Sequence, residues 1–185
     1  MFSVIFPGQG SQIVGMGKDL HSKYNIIKKL FKEADEILGF SISNIILEGP
    51  KEKLDLTENT QPAIFLVSFS IFHIIRNDFG INLNNAKYFA GHSLGEYSAL
   101  AAAEFLSFSD TLKLLQLRGK AMQTAVPKGE GGMLAILGAD IKIIEKTVEE
   151  YDCEIANDNS NGQIVVSGKN RELEKLISNF KEKGI

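Results

Sequence analysis

Gly91-His92-Ser93-Leu94-Gly95 spells G-x-S-x-G, a spacing suited to a serine nucleophile. In that pattern the serine sits on a strained turn between a strand and a helix, and the flanking glycines let backbone segments pack closely. The turn exposes the hydroxyl and carries the next amide, that of Leu94, to a helix N-terminus. There, unbonded N–H groups and the helix dipole favour a developing oxyanion. A second donor could come from Gln9, in the Gly-rich loop Phe6-Pro7-Gly8-Gln9-Gly10-Ser11-Gln12. That loop lacks the Gly-Lys-Ser/Thr ending of a Walker loop and does not match G-x-G-x-x-G, which argues against nucleotide binding. Alone, a Gly-flanked serine or a Gly-rich loop is only a turn; the strand and helix expected around Ser93 give the motif its chemical meaning.

A serine nucleophile needs a base, and the chain has three histidines, His21, His73 and His92. His92 directly precedes Ser93, and neighbouring side chains diverge on a sharp turn, so it reads as a packing group or local hydrogen-bond partner. His21 lies in a polar early segment and His73 on an apolar helix, and both read as surface or core histidines. No convincing base emerges. At ~100° per residue, Lys113, Gln116, Lys120 and Gln123 share one arc of a helix, and Leu112, Leu114, Leu115, Leu117, Ala121 and Met122 cover the remainder. Arg118 falls amid the apolar arc, where a guanidinium must find an anion. Its planar fork suits bidentate grip of a carboxylate, either a substrate's or that of a structural partner such as Glu96 or Glu104. Asn157, Asn159 and Asn161 read as turn residues before a strand, and the lone Cys153 as a buried thiol.

The elements that position these residues follow from periodicity and punctuation. Ser3 to Phe6 is a short apolar strand closed by Pro7-Gly8-Gln9-Gly10. Helical spacing runs from about Asn25 to Leu38, and Thr60-Gln61-Pro62 predicts a second helix, capped by Thr60 and running towards Arg76. Ala86 to Ala90 predicts a strand that bends through Gly91 to Gly95 into an Ala-rich helix, Glu96 to Phe105. Ser109 or Asp110 can cap a further helix ending near Thr124. The Gly-rich segment Pro127 to Gly132 predicts a boundary, dividing 1–126 from 127–185. Beyond it, Met133 to Leu137, Ile141 to Glu150, Cys153 to Ala156, Gln163 to Ser167 and Glu172 to Lys181 read as strand, helix, strand, strand, helix. A split β-α-β motif wants one more strand, which would begin at Gly184-Ile185, so an incomplete sheet with an open edge is expected.

Composition narrows the class. Over 185 residues, 20 basic side chains against 23 acidic ones leave a net charge of -3, no field for holding nucleic acid. One cysteine excludes an internal disulfide, no Cys/His cluster offers a zinc site, and both fit a reducing compartment. The start, Met-Phe-Ser-Val-Ile-Phe-Pro-Gly, has no basic segment of a signal peptide. The apolar stretch Ala63 to Ile75 is broken by Ser68, Ser70 and His73 and falls short of the ~18 residues a membrane span needs. A cytoplasmic protein with no membrane or nucleic-acid partner is expected.

Five ordered motifs together closely resemble the malonyl-CoA:acyl carrier protein transacylases. They are Phe-Pro-Gly-Gln-Gly-Ser-Gln at 6–12, Asn-Thr-Gln-Pro-Ala at 59–63, Gly-His-Ser-Leu-Gly-Glu-Tyr at 91–97, Arg-Gly-Lys-Ala-Met-Gln at 118–123 and the Asn-rich loop before Gln163-Ile-Val-Val-Ser-Gly. The resemblance spans essentially the whole chain. It implies an α/β fold: an α/β-hydrolase-like large subdomain at 1–126 and an inserted ferredoxin-like small one at 127–185, apparently truncated. It implies that Ser93 is acylated, that the backbone amides of Gln9 and Leu94 form the oxyanion hole, and that Arg118 grips the malonyl carboxylate. Gln61, His92 and Asn157 would line the cleft, and Leu94 matches the malonyl-preferring form of the motif. The implied reaction moves malonyl from malonyl-CoA through a seryl ester to the phosphopantetheine thiol of acyl carrier protein, in fatty acid biosynthesis, by a monomer without cofactor or metal. The family's closing strand and catalytic histidine have no counterpart among these residues, so weak turnover by this chain alone is expected. The alternatives are a non-catalytic fragment that binds acyl carrier protein or coenzyme A, and a serine hydrolase, which Arg118 in the acyl pocket disfavours.

Overall fold

The computed structural model describes residues 2–126 and 129–185, without the side chain of Asn84. The chain divides into two compact units, 1–124 and 125–185. Pro127 and Lys128, where the sequence places the boundary, lie outside the described residues.

The first unit runs β1 (Ser3–Phe6), α1 (Lys18–Lys23), α2 (Asn25–Leu38), α3 (Ile42–Glu48), α4 (Lys51–Leu54), α5 (Thr57–Asn77), a 3-10 turn (Leu83–Asn85), β2 (Tyr88–Gly91), α6 (Leu94–Ala102) and α7 (Phe108–Ala125). β1 and β2 pair in parallel, Ser3 opposite Tyr88 and Phe6 opposite Gly91. Parallel pairing sends the loop after Phe6 and the turn after Gly91 out of the same end of the sheet, the end at which α/β folds place their sites. α2 buries Ile27, Leu30, Phe31, Ala34 and Leu38, one helical stripe. α5 is buried along most of its length, and its Phe65 and Leu66 join Ile42, Ile46, Leu54, Leu94, Leu112 and Leu115 in one core. Phe65, Phe69 and Phe108 stack with ring centroids 5.2–5.6 Å apart, tying α5 to α7.

α7 also meets the start of α5 backbone to backbone. A Cβ on Gly119 would stand 2.6 Å from Glu58 Cα and 2.7 Å from the Thr57 carbonyl oxygen. Only glycine fits there. The buried stripe of α7 is Thr111, Leu112, Leu115 and Gly119, narrower than its apolar arc, and Leu114, Leu117 and Met122 are exposed. Arg118 therefore borders the buried stripe, half-buried, and does not lie within it.

α5 begins at Thr57, three residues before the expected cap. The Thr60 hydroxyl donates to the carbonyls of Leu54 and Leu56, at 2.6 and 3.1 Å, and so anchors the helix to α4. Pro62 lies inside the helix, where the i→i−4 pattern loses its N–H. The cap of α7 is Ser107: its Oγ accepts from the Asp110 amide at 3.0 Å and donates to the Asp110 carboxylate at 2.7 Å, while Ser109 and Asp110 are already helical. Among the described residues no helix is long and apolar enough to cross a membrane.

The second unit runs β3 (Gly131–Leu137), α8 (Ile141–Val148), β4 (Cys153–Ser160), β5 (Gln163–Lys169) and α9 (Asn170–Glu182). Its sheet is antiparallel in the order β3-β5-β4. Ile136, Ile164 and Val166 pack against Ile144 and Val148 of α8 and Leu173, Leu176 and Phe180 of α9. β4 is longer than expected: it continues past Ala156 through Asn157 and Asn159 to Ser160, with register shifts at Ile155/Asn157 and Asp158/Ser160. Asn157 pairs with Val165 in the ladder, Asn159 falls within the second register shift, and Asn161-Gly162 makes the turn; the end of the strand is hidden in the sequence because its residues are polar and of a type depleted in strands.

Two stability predictions follow from the α5–α7 contact and the α7 cap. Gly119→Ala should destabilise the protein by about 2–3 kcal/mol through overpacking against backbone, which thermal unfolding would register as a Tm drop of about 5–10 °C at this size. Ser107→Ala should cost about 1 kcal/mol, whereas Ser109→Ala should leave stability within about 0.5 kcal/mol of wild type. Equal losses at the two serines would refute the Ser107 cap.

Candidate active site

Ser93 stands between β2 and α6 with φ 55° and ψ -114°, a left-handed-side conformation that a serine adopts only when its surroundings impose it. The imposing contact is between glycines. A Cβ on Gly91 would stand 1.9 Å from the Gly95 carbonyl carbon and oxygen, and one on Gly95 would stand 2.5 Å from the Phe6 carbonyl oxygen and 2.7 Å from that of Pro7. The G-x-S-x-G glycines are thus the space through which β2, α6 and the end of β1 meet. Ser93 Oγ does not cap α6. Gly95 and Glu96 amides bond back to the His92 and Ser93 carbonyls, at 2.9 and 3.0 Å, and the Leu94 amide heads the helix, where N–H groups have no intrahelical acceptor.

Arg118 reaches the elbow from α7. Its Nη2 donates to Ser93 Oγ at 3.0 Å and its Nη1 to Gln61 Oε1 at 2.8 Å, with the guanidinium carbon 5.9 Å from the Tyr97 ring centroid. Among the described residues it forms no ion pair: Glu104, one of the two acids considered for it, binds Arg76 at 2.6 Å, and Glu96 is exposed on α6. A half-buried guanidinium held by neutral partners keeps its charge for an incoming anion. Gln61, wholly buried on α5, also donates from Nε2 to Met122 Sδ at 3.2 Å.

The loop after β1 closes the other side of the elbow. The His92 imidazole lies against it, since a Cβ on Gly8 would stand 2.7 Å from His92 Nδ1. The loop is fastened by glutamines: Gln9 Nε2 donates to Thr57 Oγ1 at 3.4 Å, Gln12 Oε1 accepts from the Gly10 amide at 2.8 Å, and Gln12 Nε2 donates to Asp55 Oδ1 at 3.0 Å. Lys51 pairs with the other oxygen of Asp55. These two hydrogen bonds, Gln12 foremost, hold the Asp55 carboxyl below the usual carboxylate range, so the clasp is ionised at neutral pH and is lost only as pH falls through that lowered value.

Of the sequence candidates, Ser93, Leu94, Arg118, Gln61, Gln9 and His92 gather around one elbow. His21 packs on Phe31 with ring centroids 5.1 Å apart, and His73 lies on α5 with its carbonyl accepting from Asn77. Asn157 belongs to β4 of the second unit, opposite Val165. The thiol of Cys153 is pushed up by burial and by the carboxylates of Glu172 and Asp152, which makes it a poor nucleophile. The sequence reading gives Tyr97 and Met122 no place at the site and does not find the Gln12–Asp55 clasp. Tyr97 could have been found as the residue one helical turn beyond Ser93.

The family model described as Acyl transferase domain matches residues 3–185. The chain is 43% identical to the malonyl CoA-acyl carrier protein transacylase of Haemophilus influenzae over 99% of its own length and 59% of that protein's. It is 45% identical to the same enzyme of Bacillus subtilis over 97% of its own length and 57% of that protein's. The acyl-carrier-protein-S-malonyltransferase of Bartonella henselae superposes with a TM-score of 0.92 at 44% identity, covering 100% of this chain and 60% of that one. A malonyl-transacylase solved in complex with a type II polyketide acyl-carrier protein superposes at 0.90 with 37% identity, covering 99% of this chain and 60% of its own. The chain therefore spans about three fifths of the relatives it matches. Matched over residues 3–185, it belongs to the acyl transferase domain family.

Proposed function

We propose that the protein transfers a malonyl group from malonyl-CoA to the phosphopantetheine thiol of acyl carrier protein through an ester on Ser93, in fatty acid biosynthesis. The observation that carries this reading is the hydrogen bond from Arg118 Nη2 to Ser93 Oγ, made by a guanidinium with no ion-pair partner among the described residues. An acyl group bound to Oγ has its next few atoms beside that cation. A malonyl group carries its carboxylate one methylene from the reacting carbonyl, which is where the guanidinium stands; a neutral acyl chain would leave the charge unanswered, which weighs against a general ester hydrolase.

In the first half-reaction, Ser93 Oγ attacks the thioester carbonyl while a base takes its proton, and the carbonyl oxygen, now negative, is met by the amides of Leu94 and Gln9. The C–S bond breaks and coenzyme A leaves with a proton as the free thiol. In the second, the carrier-protein thiol attacks the seryl ester, and Ser93 regains its proton as the malonyl thioester departs. Because Ser93 Oγ accepts from Arg118, its own hydrogen is left for the base, which by the family resemblance is a histidine in the part of the relatives that this chain does not span. Gln61 and His92 are assigned to the lining of the cleft. No cofactor or metal is invoked, and the working form is taken as a cytoplasmic monomer. The large subdomain is assigned to 1–126 as α/β-hydrolase-like and the small one to 127–185 as ferredoxin-like. The order β3-β5-β4, with a helix after β3 and after β5, supports the latter assignment and leaves the outer edge of β3 for a closing strand.

Intact-mass measurement on the full-length protein incubated with malonyl-CoA should show one malonyl adduct, absent in Ser93→Ala; an adduct that survives that substitution refutes Ser93 as the nucleophile. Arg118→Ala should lower the ratio of malonyl to acetyl transfer, compared as kcat/KM, by about 100-fold, the scale of losing one desolvated charge pair. An unchanged ratio would remove Arg118 from carboxylate recognition.

A further inference from the structure

The side chain that fixes Arg118 is an amide, and its neutrality has a consequence for specificity. Gln61 is wholly buried on α5, and its two ends face partners with opposite demands. A guanidinium only donates, and Arg118 Nη1 meets the Gln61 oxygen at 2.8 Å; a thioether only accepts, and Met122 Sδ meets the Gln61 nitrogen at 3.2 Å. The amide can satisfy both in one orientation alone. Arg118 and Met122 lie one turn apart on α7, so Gln61 spans the arginine and the residue beneath it and is locked by both. The backbone approach at Gly119 brings the two helices close enough for this bridge.

Glutamate would be nearly isosteric at this position and would also bond Arg118. It would cancel the guanidinium's charge inside the site, and substrate would then have to compete with a built-in carboxylate. Resting on the transacylase reading, we infer that Gln61 is a specificity-determining positioning residue: it orients Arg118 towards Ser93 through a neutral acceptor, so that the full positive charge is reserved for the carboxylate of the acyl group.

The test compares Gln61→Glu, Gln61→Met and Arg118→Ala in the full-length protein, measuring kcat and KM with malonyl-CoA and acetyl-CoA. Gln61→Glu should lower the malonyl-to-acetyl ratio of kcat/KM at least about tenfold, chiefly through KM for malonyl-CoA, and by more than Gln61→Met, which removes the acceptor and adds no charge. A merely structural role would lower both substrates together and leave the ratio where it was; that result, or a ratio in Gln61→Glu equal to or above that of Gln61→Met, overturns the inference. If Gln61→Glu does not fold, Gln61→Met decides: a lowered ratio supports the role and an unchanged one overturns it. Failure of the underlying reading looks different, since wild type would then show no preference for malonyl and Arg118→Ala would change nothing.

Discussion

The candidate site depends on a contact in which nothing but backbone takes part. Where β2 turns into α6, Gly91 lies so close to Gly95, and Gly95 so close to the Phe6 and Pro7 carbonyls, that no side chain could be placed between them. This approach forces Ser93 into its positive φ, and the strain is borne by the parallel pairing of β1 with β2 and by Leu94, which is buried in the main core. The hydroxyl is therefore presented by rigid elements, and it meets a second rigid element, α7, whose own glycine lets it lie against the head of α5. The Ser93 hydroxyl and the cation that faces it are thus both positioned by missing Cβ atoms.

The charge at the site is organised by the same economy. Arg118 rests on an amide, a hydroxyl and an aromatic face, none of which neutralises it. On the other side of the elbow, the glutamines of the first loop tie Gln9 and Gly10 to α5 and to Asp55. Of the carboxylates on the neighbouring helix and its end, Glu104 is turned to Arg76 and Glu96 to solvent.

Where one residue type at one spacing has one physical meaning, the sequence was legible. The α2 stripe, the strand–elbow–helix around Ser93 and the strand and helix order of the second unit all rest on periodicity or on glycines that cannot be replaced. The misreadings arose where a tertiary contact overrode a local signal. Thr60 looks like a cap but bonds backwards to α4, and Ser107 caps α7 although Ser109 and Asp110 are equally suitable by type. The polar residues at the end of β4 hide a strand among asparagines. The helix wheel of α7 misplaced Arg118 because it assumed that every apolar residue is buried, whereas Leu114 and Leu117 are exposed. The role of Met122 beside Gln61 and the Gln12–Asp55 clasp were invisible for another reason: their meaning lies in distances between residues far apart in the chain.

The pairing of β1 with β2 also bears on how the molecule is made. Ser3 must find Tyr88 and Phe6 must find Gly91 across five intervening helices, so the sheet that ends at the elbow closes a long loop before any of its contacts can repay the lost chain entropy. In the second unit, β4 and β5 are joined by the two-residue turn Asn161-Gly162, and their ladder can form locally and early. On a growing chain the residues around Ser93 cannot come together until α7 has emerged with Arg118, so the chemistry of the elbow belongs to the last events in the folding of the first unit.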